Sequence, residues 1–241
     1  MREDLFKDIL DQEKLHWWHK SKQKLIRLLV EKYVNKKSPK ILDVGCGTGM
    51  IIEKLADIAK MWGVDSHVDA IKICKGKGLN RIKKGKSEKL PFRNSFFDCL
   101  TVLDVLEHTN DSKSIEEFRR VLKKGGILIL TVPAYPWMWS EWDRILGHKK
   151  RYTKQTLTRI LNKNQFNIFK ISYLYSFLLI PAFLIRRFKE RLPLKSYSSD
   201  FSINFGFINY LLKYIAKIEI WYLERKNIPF GLTLIAVAEK R

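Results

Sequence analysis

The chain has 241 residues, and 46 Lys and Arg against 25 Asp and Glu leave a formal net charge of +21 at pH 7. With 46% hydrophobic and 12% aromatic residues it is too apolar for a disordered chain, and its length suits one elaborated domain or two small ones. Three cysteines, Cys46, Cys74 and Cys99, fall at wide, unpatterned spacing, which excludes a disulfide scaffold and a CxxC metal site and points to a reducing, cytoplasmic compartment.

The first residues, Met1-Arg2-Glu3-Asp4-Leu5-Phe6-Lys7-Asp8, carry charge where a signal peptide needs its apolar region, so no cleaved leader is expected. The positive excess is concentrated, with 12 basic residues against the single acid Glu190 between Gly147 and Lys195. Such a stretch suits a phosphate-rich partner, nucleic acid or anionic lipid headgroups. A merely solvated basic surface is the alternative of equal weight.

In chain order, two amphipathic helices are expected at about Glu3 to Leu15 and Lys22 to Asn35, joined by His16-Trp17-Trp18-His19. Short apolar runs at Ile41 to Val44, Met61 to Val64, Cys99 to Val105 and Ile127 to Val132 then read as buried parallel strands. Helices are expected between them at Met50 to Ala59, Val68 to Gly76 and Ser112 to Leu122, with Ser114 and Glu117 resembling a capping box. An aromatic loop follows at Ala134 to Gly147, then a helix at Thr153 to Asn162 and a strand at Asn167 to Tyr173. Leu174 to Ile185 is nearly all apolar but, at about a dozen residues, too short to span a bilayer. A helix at Ile203 to Lys226 and a strand at Leu232 to Ala238 complete the chain. The expected architecture is an α/β fold with a mostly parallel seven-stranded sheet, helices on both faces and a helical insertion before the last strand. The expected parts are a helical cap over 1–36, a core over 37–173, the insertion over 174–229 and the closing strand within 230–241.

Ile41-Leu42-Asp43-Val44-Gly45-Cys46-Gly47-Thr48-Gly49 is a buried strand that ends in glycines at every second position and feeds a helix. Glycine is needed where a backbone turns tightly and a ligand approaches it without a Cβ in the way. The spacing is not the dinucleotide GxGxxG, because Met50 stands where its third glycine would be, and no Gly-Lys-Ser/Thr follows to make a P-loop. The next acid at a strand end, Asp65, lies 22 residues after Asp43, a distance that suits a carboxylate accepting ribose hydroxyls.

The glycine spacing resembles motif I of the class I S-adenosylmethionine (SAM) methyltransferases, an acid followed by x and GxGxG. Three later segments resemble the same family: Leu90-Pro91-Phe92-Arg93-Asn94-Ser95-Phe96-Phe97-Asp98, Leu103-Asp104-Val105-Leu106-Glu107-His108 and Leu122-Lys123-Lys124-Gly125-Gly126-Ile127-Leu128. The resemblance is to the type 11/12 methyltransferases and, through Gly147-His148-Lys149-Lys150-Arg151-Tyr152-Thr153, to a prokaryotic branch with a GHxRRYT element associated with glycan and cell-surface biosynthesis. It implies a Rossmann-like fold and SAM as cofactor. Gly45, Gly47 and Gly49 would let the backbone approach the methionine portion, with Asp43 organising the loop and Asp65 binding ribose. Ser66 would line the adenosine pocket, Ser87 and Glu88 would flank adenine, and Leu103 would offer its backbone near the sulfonium. Lys86 stands where many relatives place an acid that reads the adenine amino group, so adenine recognition falls to backbone groups or to Glu88.

On the acceptor side, the absence of an Asp/Asn-Pro-Pro-Tyr/Phe motif after the fourth strand argues against amino methylation of nucleobases or glutamine. The absence of a Pro-Cys dipeptide argues against the covalent cytosine route. His108 is the leading general-base candidate, against a histidine hydrogen-bonded within its turn, and His148 is the second catalytic candidate. Asp104, Glu107 and His108 read as Asp-x-x-Glu-His. The pattern is similar to the Glu-x-x-Glu-His that holds a divalent metal in ubiquinone-pathway O-methyltransferases and small-RNA 2′-hydroxyl methyltransferases. His148 would be a further ligand there, but the turn is widespread without metal, and no residue is assigned to one.

Trp137, Trp139 and Trp142 follow the fifth strand, as acceptor-pocket walls or as a hydrophobic lid. Lys149, Lys150 and Arg151 suit a phosphate, or form a solvated basic turn. His16-Trp17-Trp18-His19 would close over the cofactor or anchor the core. The function expected is methyl transfer from SAM to oxygen of a small-molecule, glycan or lipid-linked acceptor. Alternatives are an RNA methyltransferase or a non-catalytic SAM-fold protein on anionic membranes. A cytoplasmic site is expected from the cysteines, and the basic stretch adds peripheral contact with the inner face of the membrane as an alternative to a merely solvated surface.

Overall fold

The computed structural model describes residues 16–191 and 206–241. The first described helix, α1 (Trp17–Tyr33), begins at His16, whose side chain accepts from the Trp18 N–H. The aromatic cluster is therefore the cap and first turn of this helix and not a connection ahead of it. The unpaired N–H groups of a helix N-terminus need such an acceptor, and His16 supplies it where a linker was expected. The helix expected at Glu3 to Leu15 lies outside the described residues.

Seven strands follow: β1 (Lys40–Val44), β2 (Lys60–Asp65), β3 (Ile82–Lys84), β4 (Phe97–Leu103), β5 (Leu122–Pro133), β6 (Phe166–Leu174) and β7 (Thr233–Lys240). They form one sheet in the order β3-β2-β1-β4-β5-β7-β6. The first five run parallel, while β7 lies antiparallel between β5 and β6. The central strands are buried on both faces, which is why they read as continuous apolar runs and not as alternating ones. Strand β3 escapes the sequence reading because its three residues, Ile82-Lys83-Lys84, carry one buried side chain.

The crossovers are α2 (Met50–Leu55), α3 (Val68–Gly76) and α4 (Asp111–Val121), and after β5 come α5 (Glu141–Leu146), α6 (Lys154–Lys163), α7 (Leu179–Arg191) and α8 (Gly206–Arg225). Helix α4 starts one turn earlier than Ser114. Asn110 is its cap, accepting from the Lys113 N–H, and Ser114 is a fully buried interior residue. Glu117 reaches Arg120 and the Leu90 N–H, so the expected capping box is absent and this acid fastens the loop before β4 to the helix.

Strand order reverses between β1 and β4, one leading to β2 and the other to β5. At such a switch the connections leave in opposite directions and open a crevice beyond the carboxyl ends of the strands. The glycine loop after β1, Asp65 at the end of β2 and Leu103 at the end of β4 all meet there.

Candidate active site

The three glycines of the loop serve two purposes. All lie at positive φ: Gly45 at +71°, Gly47 at +49° and Gly49 at +86°, the last as the cap of α2. At Gly45 a Cβ would stand 2.4 Å from Val105 Cγ2, and at Gly49 one would stand 2.5 Å from Leu79 Cδ1, so both positions also lack room. Gly47 is different, because a Cβ there meets nothing within 4 Å. Its requirement is conformational, and the space beside it is open to a ligand.

The Gly47 N–H donates to Asp65 Oδ2 at 2.9 Å, and the His67 N–H donates to Asp65 Oδ1 at 2.8 Å. Each carboxylate oxygen keeps a second lone pair, which is the capacity a vicinal diol needs. The tether of the glycine loop is thus Asp65. Asp43, expected to organise that loop, instead accepts from Thr101 Oγ1 at 2.6 Å and ties β1 to β4. Burial pushes its carboxyl up to about 7.

Beyond the strand ends lies a cavity of about 480 Å³. Val44, Gly45, Asp65 and Ser66 line one side; Lys86, Ser87 and Glu88 line another; Leu103, Asp104, Val105 and His108 line a third. Seven of the nine residues expected to hold the cofactor are thereby placed: Gly45, Asp65, Ser66, Ser87, Glu88 and Leu103 on the wall and Gly47 one hydrogen bond behind it. Asp43 and Gly49 support that wall from inside. Ser87 is buried and shares hydrogen bonds with Glu88 and Ser114, and Glu88 Oε1 accepts from the Asn110 N–H. Both side chains are held by the start of α4.

Helix α1 reaches the wall of this cavity through a contact that left no signal in the sequence. Lys22 forms an ion pair with Asp104, whose other oxygen accepts from Thr131 Oγ1 at 2.8 Å. Burial works to raise the Asp104 carboxyl, but the Lys22 charge and hydrogen bond outweigh it and hold the group below the usual carboxylate range. Asp104 sits at φ +54°, a left-handed conformation that turns β4 sharply into the Leu106–His108 turn. Trp18 stacks on Tyr175 with ring centroids 3.6 Å apart, which anchors α1 against the segment after β6. The aromatic cluster is therefore an anchor, and Lys22 is the residue that bridges the site.

Glu107 is fully buried, and neither of its carboxylate oxygens has a hydrogen-bond partner. Burial, then the nearby Asp104 charge, raises its carboxyl well above the normal range. One ligand atom from each of Glu107, His108 and His148 lies within 4.8 Å of the others. His148 Nδ1 lies 2.8 Å from Asp143 Oδ1. Asp143 is ionised: burial opposes this, but His148 and Arg151 bring its carboxyl down to about 2. An ionised carboxylate only accepts, so His148 Nδ1 carries the proton, and in the neutral ring Nε2, 4.0 Å from Glu107 Oε1, keeps its lone pair. His108 Nδ1 lies 3.2 Å from the Gly147 carbonyl, also acceptor-only, so the neutral ring has the same tautomer. Burial and the adjacent His148 lower the His108 pKa and favour that neutral form. The three residues are thus able to hold a divalent cation, whereas Asp104 is committed to Lys22 and Thr131. His108 faces the cavity, while His148 sits against it with rings 4.9 Å apart and positions it.

The basic run resolves into three different roles. Arg151 is buried and binds Asp143 through both carboxylate oxygens, at 2.7 and 3.0 Å. Lys150 pairs with Asp111, and Lys149 lines the cavity. The expected three-cation anion site is therefore one cation, because the other two neutralise acids that hold α5 and α4. The tryptophans of the loop do not line the cavity either. Trp137 is exposed and packs between Tyr135 and Phe183 of α7. Asp143, central to this support, is the second half of a capping box with Ser140, a spacing that was legible in the sequence.

Residues 42–130 match the methyltransferase domain family. An uncharacterized protein of Methanocaldococcus jannaschii is 29% identical over 61% of this chain and 62% of its own length. The ubiquinone biosynthesis O-methyltransferase of Colwellia psychrerythraea is 31% identical over 38% of this chain and 40% of its own length. The chain thus spans about half the length of the curated relatives it matches. The crystal structure of a SAM-dependent methyltransferase from Archaeoglobus fulgidus superposes with a TM-score of 0.57 at 20% identity, covering 96% of this chain and 99% of that one. With the glycine loop, the strand order and Asp65 at the end of β2 in place, residues 42–130 are similar to the methyltransferase domain family, and the chain carries the fold of the class I SAM-dependent methyltransferases.

Proposed function

We propose that the protein transfers a methyl group from SAM to an oxygen of a small-molecule, glycan or lipid-linked acceptor. The observation that carries this reading is the Gly47–Asp65 pair. A loop with open space at Gly47 is fastened to a carboxylate that retains acceptor capacity toward the same cavity. A nucleoside joined to an amino-acid chain fits this arrangement: Asp65 would take the ribose hydroxyls, Ser66, Ser87 and Glu88 the adenosine end, and Gly45, Gly47 and Leu103 the methionine end. Lys86 beside Glu88 leaves adenine recognition to Glu88 and the backbone.

When bound, SAM supplies a methyl carbon already activated by a positively charged sulfur. What the chain must add is alignment, exclusion of water and a place for the acceptor proton. Helix α1 is clamped by Lys22 to Asp104 on the cavity wall. His108, with its lone pair on Nε2 in the neutral ring, would accept a hydroxyl proton. Oxygen as the acceptor atom is supported by this base and by similarity to an O-methyltransferase.

The test is equilibrium binding followed by turnover. Titration calorimetry should show SAM and its demethylated product binding at one site, with affinity lost in Gly47→Val. Radiolabelled SAM incubated with cell extract should label the lipid or glycan fraction, and His108→Ala should slow that labelling by about 100-fold while leaving SAM affinity intact. Label appearing in RNA would replace the acceptor class, and binding without any turnover would make the chain a SAM-binding protein.

A further inference from the structure

Helices α7 and α8 expose the side chains that a helix ordinarily buries. On α7, Ile180, Leu184 and Phe188 recur every four residues, with Pro181 and Ile185 beside them, and Ile180 and Phe188 are 70% and 67% exposed. On α8, Tyr210, Leu211, Tyr214, Ile218, Trp221 and Tyr222 are exposed, Tyr210 by 71% and Trp221 by 56%. Four cations lie among them: Arg187, Lys213, Lys217 and Arg225. Among the described residues of the two helices the partly exposed carboxylate is Glu224, which pairs with Arg225 at 3.6 Å and leaves Arg187, Lys213 and Lys217 as the cations of the face. The Glu219 side chain turns inward, accepting from the Tyr175 and Ser176 N–H groups at 2.5 and 2.8 Å.

An apolar patch of this extent on a soluble surface marks an interaction site. Aromatic and aliphatic side chains mixed with cations that outnumber the acids match a bilayer interface, where rings sit at headgroup level and cations meet lipid phosphates. A second copy of the chain is the poorer partner, because it would bring the same cations together on a molecule of net charge +21. Among the described residues no helix is long and apolar enough to cross a membrane, so the pair would lie on the bilayer. Trp137 extends the apolar surface, its ring 5.5 Å from Phe183, and Arg186 donates to the Met138 carbonyl at 3.0 Å. The exposed face is thereby fastened to the loop that follows β5.

We infer that the exposed faces of α7 and α8 form a docking surface for an anionic lipid bilayer. Co-sedimentation with phosphatidylglycerol–phosphatidylcholine vesicles should pellet the full chain at low salt, vesicles of phosphatidylcholine alone should not, and added salt should release it. Two double variants, Leu184→Asp with Phe188→Asp and Tyr214→Asp with Trp221→Asp, should each lower partitioning at least about tenfold at unchanged melting temperature. A third variant, Lys213→Gln with Lys217→Gln, adds no burial demand and should weaken binding and flatten its salt dependence. Wild-type protein that stays in the supernatant with anionic vesicles overturns the inference. So does binding that the aspartate variants leave intact, which would reduce the effect to bulk charge. A solution dimer that the same aspartates convert to monomer would assign the face to a second copy.

Discussion

The backbone N–H of Gly47 donates to Asp65 Oδ2 at 2.9 Å, joining the loop after β1 to the end of β2. This bond makes the carboxylate a structural tether, and its remaining lone pairs are what the proposed ribose contact would use. Asp65→Ala should weaken SAM binding by about 1.5–3 kcal/mol, the range of hydrogen bonds to a charged group. Calorimetric affinity changed by only a few tenths would place the ribose elsewhere.

The contrast between Gly45 and Gly47 predicts different costs for one extra methyl group. Gly47→Ala carries only the strain of a left-handed residue, about 1–2 kcal/mol. Gly45→Ala adds a clash with Val105 and should cost more. Removing that neighbour in Gly45→Ala/Val105→Ala should recover part of the loss, read as urea midpoints. No recovery would mean that Val105 is not the obstacle.

Asp143 holds buried Arg151 and orients His148, so its loss leaves a buried cation unpaired. Asp143→Ala should destabilise the protein by about 3–5 kcal/mol. The sign of the pH dependence follows from the depressed carboxyl: its contribution is complete above the ordinary value near 3.8 and fades as pH falls toward about 2. Denaturation between these values should show this loss in the wild type and not in the variant. Equal acid limbs would refute the role.

Glu107 has two buried oxygens without partners beside His108 and His148. Added Zn(II) or Mn(II) should therefore raise the melting temperature, and Glu107→Gln should abolish the rise. A melting temperature indifferent to both ions would leave Glu107 a buried neutral acid.

Lys22 is buried on α1, and its charge depends on Asp104. Lys22→Met keeps the packing of the stem but removes the pair with Asp104, and the hold of α1 on the end of β4 should loosen. Faster amide exchange in α1, with weaker SAM binding, is the expected outcome, and unchanged exchange would show that the Trp18–Tyr175 stack suffices.

The local grammar of this fold was legible in the sequence. Apolar runs of strand length, helices between them and glycines at the end of β1 are determined by nearest-neighbour sterics and burial, so α3 at Val68–Gly76 agrees with its expected bounds. Asp65, Ser66, Ser87, Glu88 and Leu103 were found through motif spacing, and the strand order brought them to one cavity. Side-chain partners across the chain were decided only by tertiary structure. Lys22 with Asp104, Arg151 with Asp143 and Glu107 left without a partner depend on which elements the sheet juxtaposes, and no local pattern encodes that. Nor did the apolar periods of α7 and α8 reveal that they face outward, because periodicity gives a stripe its spacing and only packing decides which side the stripe meets.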